Sequence, residues 1–391
     1  MIKDKLHESI DKLNSYIISN KFTGYDPYDA LKSKKLKKIP NKYLKLFCTQ
    51  FFVYSPVNLR PLFEIPMSLN PKALGLLMSA YCNLYKNNFI KKNEFDIITT
   101  FLSKSLIERR SPKYKDFCWG FNFPWQDLTR YTCENVPTIV NTSFIGNGFL
   151  DLYEISKNPN YLNIARSNCE FILSNLNKTK KGNMVCFSYT PYDQYIVQNA
   201  NMLGSAFLAR VYSVTKDELL YEYSERSMKF SMFYQKKDGS WNYSEKSPHG
   251  IESHQIDFHQ GFIIDSICNF LQYMNLNDEN YIDALKKALF FYRKNQFNNN
   301  GYSKWRYPYT FPIDIHNQSQ GIITFYRTYK FLKKPDLLNF SNKIANWTID
   351  NMSDQSGFFY YQKWPFFKNR ISYMRWSQAW IFLALSTLLY G

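Results

Sequence analysis

The sequence predicts an all-α chain folded as a closed (α/α)6 toroid, six inner helices ringed by six outer ones. Three observations carry this. Segments 158–176, 216–234, 277–295 and 333–351 repeat one amphipathic pattern at a period of roughly 60 residues. Each is followed by a Gly turn, an aromatic strip and a second helix that is apolar nearly all round, as helices buried on both sides are. Finally, 14 Gly in 391 residues is too few for a turn-rich all-β sandwich, and no Pro-, Gly- and Ser-rich linker divides the chain.

Residues 1–40 read as an N-terminal helix and a basic loop packed on the ring, and 41–391 as the single toroid domain. A helix over 41–54 is expected to be the outer partner of the final inner helix and so to close the ring. Segments 71–85 and 94–108 form the first inner and outer pair. Further inner helices begin near Val140, Gln198, Phe258, His316 and Met374. In the outer segment 216–234, Leu220, Tyr223, Ser227, Met228 and Phe230 recur at helical spacing opposite Glu222, Glu225 and Lys229. The Gly turns pair Gly182 with Phe187 and Tyr189, Gly239 with Trp241 and Tyr243, Gly301 with Tyr302 and Trp305, and Gly357 with Phe358 through Tyr361.

A formal charge of +17 favours anionic partners. Its one dense run is Lys32, Lys34, Lys35, Lys37 and Lys38, which fits either a solvated loop or phosphate, uronate and acidic lipid headgroups. No nucleic-acid module is present. Seven Cys without paired spacing read as reduced thiols. The N-terminal segment alternates charged with apolar residues and has no signal-like apolar run, and no stretch is a membrane span. The expectation is a cytoplasmic protein, peripheral to the membrane at most.

In such a ring the loops feeding the inner helices gather at one end. Aligning the inner helices on Gly146, Gly204, Gly261 and Gly321 puts Asn141, Asn199, Ile256 and His316 at one level, five residues earlier. Asn141 and Asn199 suit either helix capping or ligand hydrogen bonds. Four of the five His fall between 249 and 316, and two share an Asp-x-His pattern, Asp257/His259 and Asp314/His316. A carboxylate beside an imidazole orients its tautomer and raises its basicity, which serves acid/base catalysis near neutral pH. Capping Asp with a structural His is the plainer reading. His254, Asp257, His259 and His316 lack any recognised metal-site spacing, so no metal and no cofactor is expected. The strips 118–126, 188–195, 302–309 and 373–380 offer aromatic faces and polar groups suited to sugars: Trp119, Trp125, Gln126, Tyr192, Trp305, Arg306, Arg375, Trp376 and Gln378. A lanthionine-cyclase zinc set and the Asp-rich motif of terpene cyclases are both absent.

GYDPYDAL (24–31), NPKALGLLMSAY (70–81), CWGFNFPWQ (118–126), PTIVNTSFIGNGFLDLYE (137–154), QNANMLGSAFLARVY (198–212), IDFHQGF (256–262), IDIHNQSQGI (313–322) and YMRWSQAWIFLAL (373–385) together resemble a bacterial family of surface-polysaccharide clusters. Its members are often labelled delta-aminolevulinic acid dehydratase. The dehydratase proper is a (β/α)8 barrel working through Schiff-base lysines, and no alternation of strands is visible here, so the label implies no chemistry. More broadly, the chain is similar to six-hairpin glycosidases, uronate lyases and sugar epimerases. The resemblance implies site residues Trp119, Trp125, Gln126, Asn141, Asn199, Asp257, His259, Asp314, His316, Arg375, Trp376 and Gln378.

The expected function is a carbohydrate-active enzyme of surface-glycan assembly, acting on an anionic or lipid-linked sugar, with glycosyltransferases of the same pathway as partners. His259 and His316 would be acid and base, oriented by Asp257 and Asp314, with Arg375 or Arg306 on a carboxylate or phosphate. Hydrolysis through Asp257 and Asp314 is the variant reading, since no unambiguous pair of buried carboxylates is evident. A non-catalytic glycan-binding or scaffold protein is the alternative.

Overall fold

The computed structural model describes residues 2–128, 130–248 and 250–389. In chain order the helices are α1 (Ile2–Ser19), α2 (Lys34–Lys37), α3 (Lys42–Tyr54), α4 (Pro71–Lys86), α5 (Lys92–Glu108), α6 (Ile139–Ser156), α7 (Pro159–Asn175), α8 (Gln198–Thr215), α9 (Glu218–Phe233), α10 (His259–Tyr273), α11 (Glu279–Phe291), α12 (Ile315–Leu332), α13 (Pro335–Met352) and α14 (Trp380–Leu388). A π-helical turn, Met374–Ala379, leads into α14.

Six helices pack in a closed cycle, α4 on α6, α8, α10, α12, α14 and back to α4. That is the predicted toroid. Its inner helices bury residues on every side: in α8 the buried set runs almost unbroken from Gln198 to Val211. The shared Gly register has a steric cause. A Cβ on Gly261 would stand 2.6 Å from Gln320 of α12, and one on Gly146 would stand 2.5 Å from Phe207 of α8. Larger residues there would push neighbouring inner helices apart.

Outer helices α5, α7, α9, α11 and α13 pack on the inner helices that precede them, and the sixth outer position is filled by α1. This corrects the expectation for 41–54. Leu6, Ile10, Leu13 and Ile17 form the stripe at i, i+4, i+7 and i+11 that α1 buries completely or nearly so. A turn geometry confirms the equivalence. Gly239 sits against the Lys287 carbonyl of α11, Gly301 against Lys343 of α13, and Gly357 in the same way against Lys12 of α1. Helix α3 instead lies outside the ring, against the Asp29–Lys32 turn and the short strand Trp125–Gln126. The boundary at 40 therefore divides nothing, since α1 belongs to the toroid.

Strands are confined to loops, as two-residue pairs such as Ile196–Val197 with Ser244–Glu245 and Ile313–Asp314 with Gln362–Lys363, plus the hairpin Lys178–Lys181 and Met184–Phe187. They stiffen the segments entering α8 and α12. All seven Cys are free. Among the described residues no helix is long and apolar enough to cross a membrane.

Candidate active site

The loops that enter the inner helices converge on one mouth, and there a cavity of about 650 Å³ opens into the ring. Buried amides hold these loops in place. Gln260 of α10 accepts from the Trp241 backbone N–H at 3.1 Å and donates to its carbonyl at 2.9 Å. Gln378 clamps Phe359 identically, at 2.9 and 2.8 Å. Asn317 of α12 joins two mouth segments, accepting from Phe258 N at 2.9 Å and donating to the carbonyls of Lys304 and Trp305. That bond positions Phe258 and with it His259.

On the cavity wall stand His259 and His316, both against the Phe258 ring, at centroid distances of 4.1 and 4.0 Å. His259 Nδ1 lies 2.6 Å from an Asp257 oxygen, so Nδ1–H donates to that carboxylate and Nε2 is left as the reactive atom. Burial raises the Asp257 pKa, but the His259 charge and hydrogen bonds from His259 and Gln255 outweigh it and hold the carboxyl below its ordinary value. Asp257 is ionised. His316 is 1% exposed and stacks on Phe258 and Trp380, and neither of its ring nitrogens has a partner among the described residues. Burial first, then the charges of Lys72, Arg375 and His259, push its pKa well below the usual imidazole range. It is a neutral imidazole with a free lone pair and a free N–H.

The second Asp-x-His pair is built differently. Asp314 caps α12 through the His316 backbone N–H at 2.8 Å and accepts from the Trp376 indole at 2.9 Å and from Gln362 at 3.1 Å. It orients Trp376, not the His316 ring, which corrects the expected role. Burial pushes its carboxyl up to about 6. Neither Asp257 nor Asp314 lines the cavity.

Trp125, Gln126, Asn199, Arg306, Arg375 and Trp376 do line it. Asn199 is 3% exposed and its Oδ1 is unpartnered, so neither capping nor packing uses that atom. The other expected wall residues stand elsewhere. Trp119 is wholly buried and donates to the Leu106 carbonyl at 2.8 Å. Asn141 is buried behind the wall, and Thr138 caps α6 in its place. Tyr192 is 64% exposed and hydrogen-bonds Tyr114 outside the cavity. Trp305 packs edge-on to Tyr54 and carries Arg306 on its face. Gln378 is the loop clamp described above. His254 bonds Asn242 at 2.8 Å, and His249 lies outside the described residues. No group of three or more His, Cys, Asp or Glu able to hold a metal occurs among the described residues.

Among the wall residues that the sequence reading did not assign to the site are Lys72 and Tyr243. Lys72, in the first turn of α4, is buried with its ammonium 4.5 Å from the Phe144 centroid and 5.4 Å from that of Trp380. It has no ion pair among the described residues, and burial together with the Arg375 charge pushes its pKa well below the usual lysine range. Tyr243 meets the His259 ring edge-on at 4.7 Å. The signal for Lys72 was a charge in the first turn of an inner helix whose next charged residue is Lys86 at its far end.

Fold and mouth define the class, an (α/α)6 toroid with its cavity at the N-terminal ends of the inner helices. No family model and no curated protein sequence matches the chain. Solved structures do. An alpha-mannanase of family GH76 from Bacteroides thetaiotaomicron aligns at TM-score 0.65 and 17% identity over 83% of this chain and 87% of its own. Cellobiose 2-epimerase from Bacillus thermoamylovorans aligns at 0.64 and 14%, over 83% and 90%. An unsaturated glucuronyl hydrolase from a Bacillus species, responsible for degradation of glycosaminoglycan, aligns at 0.64 and 10%, over 100% and 96%. The likeness is one of fold.

Proposed function

We propose that this protein is a carbohydrate-active enzyme that moves a proton at a sugar carbon, with His259 and His316 as the acid/base pair. One observation carries the reading: two imidazoles share a cavity wall, one oriented by a carboxylate and the other neutral with both nitrogens unpartnered. Fold neighbours that are epimerases, hydrolases and mannanases support the substrate class. In the step proposed, neutral His316 takes the proton from a carbon beside a carbonyl or carboxylate, and the electron pair moves into an enediolate. His259, acting as the acid and held at Nδ1 by Asp257, either returns a proton to the opposite face or protonates a departing oxygen, giving epimerisation or β-elimination. Hydrolysis by Asp257 and Asp314 is disfavoured because both carboxylates sit behind the wall.

Lys72 and Arg306, wall cations with no ion pair among the described residues, favour a substrate bearing a carboxylate or phosphate. With the resemblance to surface-polysaccharide proteins, that makes an anionic or lipid-linked glycan of cytoplasmic surface-polysaccharide synthesis the substrate we infer, with glycosyltransferases as pathway partners. The test is exchange of solvent deuterium into uronate oligomers and reducing disaccharides, for the wild type and for His259→Ala and His316→Ala. Loss of exchange by about 10²-fold or more in each folded variant is expected. Full exchange in either would refute the assignment, and binding without exchange in the wild type would make the protein a glycan-binding one.

A further inference from the structure

Helix α3 is amphipathic in an inverted sense. Its inner side is seated by Thr49, Phe52 and Val53, and Leu46, Thr49 and Gln50 border the cavity. Its outer side carries Tyr43, Leu44, Phe47, Phe51 and Tyr54 at helical spacing, all exposed, Tyr43 and Phe47 by 64% and 66%. A stripe of that composition belongs in a core or at an interface, and the ring is already complete without it.

Basic charge adjoins the stripe. The short helix α2 packs on α3 and presents Lys34, Lys35 and Lys37, followed by Lys38, with Lys42 opening α3 itself; all are exposed. Among the described residues only Lys35 of this set has an ion pair, with Glu64 at 3.1 Å. A second apolar projection stands on the same rim. The loop between strands Gln362–Lys363 and Lys368–Asn369 holds Phe366, 99% exposed, between Lys363 and Lys368. The Asn369 side chain ties this hairpin to α3 by donating to the Ser55 carbonyl at 3.0 Å.

Aromatic side chains level with unpaired lysines match the water–bilayer boundary, where rings enter the headgroup layer and ammonium groups meet lipid phosphates. We propose that the mouth face docks on an anionic lipid bilayer, with α3 lying in the headgroup plane, Tyr43, Phe47 and Phe51 inserted, and the lysines of α2 on the phosphates. Two projections, α3 and the Phe366 hairpin, set the plane. The cavity then opens at the membrane surface, where a glycan on a lipid carrier would be presented. The docking stands on its own, whatever reaction the cavity performs.

The full chain is floated with vesicles of phosphatidylglycerol and phosphatidylcholine in equal parts, and with phosphatidylcholine alone. Binding to the anionic vesicles, weakened by high salt, is expected. Phe47→Ser with Phe51→Ser should weaken it by about tenfold or more. Reversal of Lys34, Lys35, Lys37 and Lys38 to Glu should weaken it by roughly two orders of magnitude. All six positions are exposed, so the variants fold, and circular dichroism verifies that. Three outcomes overturn the proposal: no flotation with either vesicle, flotation that ignores both sets of substitutions, or a solution dimer that Phe47→Ser with Phe51→Ser disperses. The last would assign the stripe to a second copy of the chain.

Discussion

Arg375 and Asp26 stand 349 residues apart in the chain and meet in a buried two-point ion pair, Nε and Nη2 reaching the carboxylate at 2.5 and 2.8 Å. The pair draws the segment after α1 against the π-helical turn that carries Trp376. It also occupies Arg375, which leaves Arg306 and Lys72 as the wall cations without an ion pair among the described residues.

Asp26→Asn removes one charge and strands the other in the interior. A loss of about 3–5 kcal/mol is expected, measured by urea denaturation. A loss below ~1 kcal/mol would mean that water reaches the pair.

The two Asp-x-His motifs look alike and should behave differently. Asp257→Asn frees the His259 ring and should lower turnover by about 10²-fold or more, while Asp314→Asn should leave it within roughly threefold, because Asp314 never touches an imidazole. Steady-state kinetics on any substrate that responds decides it. Equal losses would contradict the assignment.

Asp314 also predicts a pH effect on stability. Its folded pKa of about 6 lies above the ordinary 3.8, so its stabilising contribution is complete below pH 3.8 and is lost as pH rises through 6. Asp314→Asn should flatten that decline. At pH 7 the variant should be more stable by on the order of 1–3 kcal/mol, since an Asn oxygen still accepts from His316 N and Trp376. Denaturant midpoints across pH 4–7 provide the check.

Lys72 has the opposite sign. Its folded pKa is depressed, so its contribution is complete above the ordinary 10.5 and is lost as pH falls towards the folded value. Lys72→Met should therefore stabilise the protein at neutral pH, and its stability should rise less than the wild type's between pH 8 and 10. Affinity for an anionic glycan should fall by about tenfold or more. Gained stability with lost affinity marks a residue kept for its site; equal affinity would remove Lys72 from it.

Inner helices α6, α8 and α12 end on Lys157, Lys216 and Lys333, each left-handed at φ 56°, 57° and 56°, each donating to a Tyr carbonyl four residues back. A side chain there is strained. Replacing all three with Gly should stabilise the protein by about 0.5–1 kcal/mol per site, read as a rise in Tm.

The ring was legible because helical periodicity and a recurring Gly are written in the sequence. Its closure was misread because α3 carries an apolar stripe as regular as that of α1, and a pattern cannot say whether a stripe faces a core or a surface. Leu6, Ile10, Leu13 and Ile17 were equally visible. In the site, Asp-x-His located both imidazoles, yet which carboxylate meets which ring depends on side-chain direction at the helix entrance. Trp119 and Gln378 were chosen for their chemistry, and that chemistry is spent on backbone groups. Asp26 was missed because its partner Arg375 comes from a distant segment, and Lys72 because the rings around it, Phe144 and Trp380, do too.

The sixth outer helix has a temporal cost. The ribosome makes α1 first, but the helices it docks on, α13 and α14, emerge more than 300 residues later, a delay on the order of half a minute. Throughout that interval Leu6, Ile10, Leu13 and Ile17 lack the α13 and α14 surface that completes their cover. The nascent chain thus carries an incompletely covered helix while the rest of the ring is made, and closing this long loop becomes the natural bottleneck of folding.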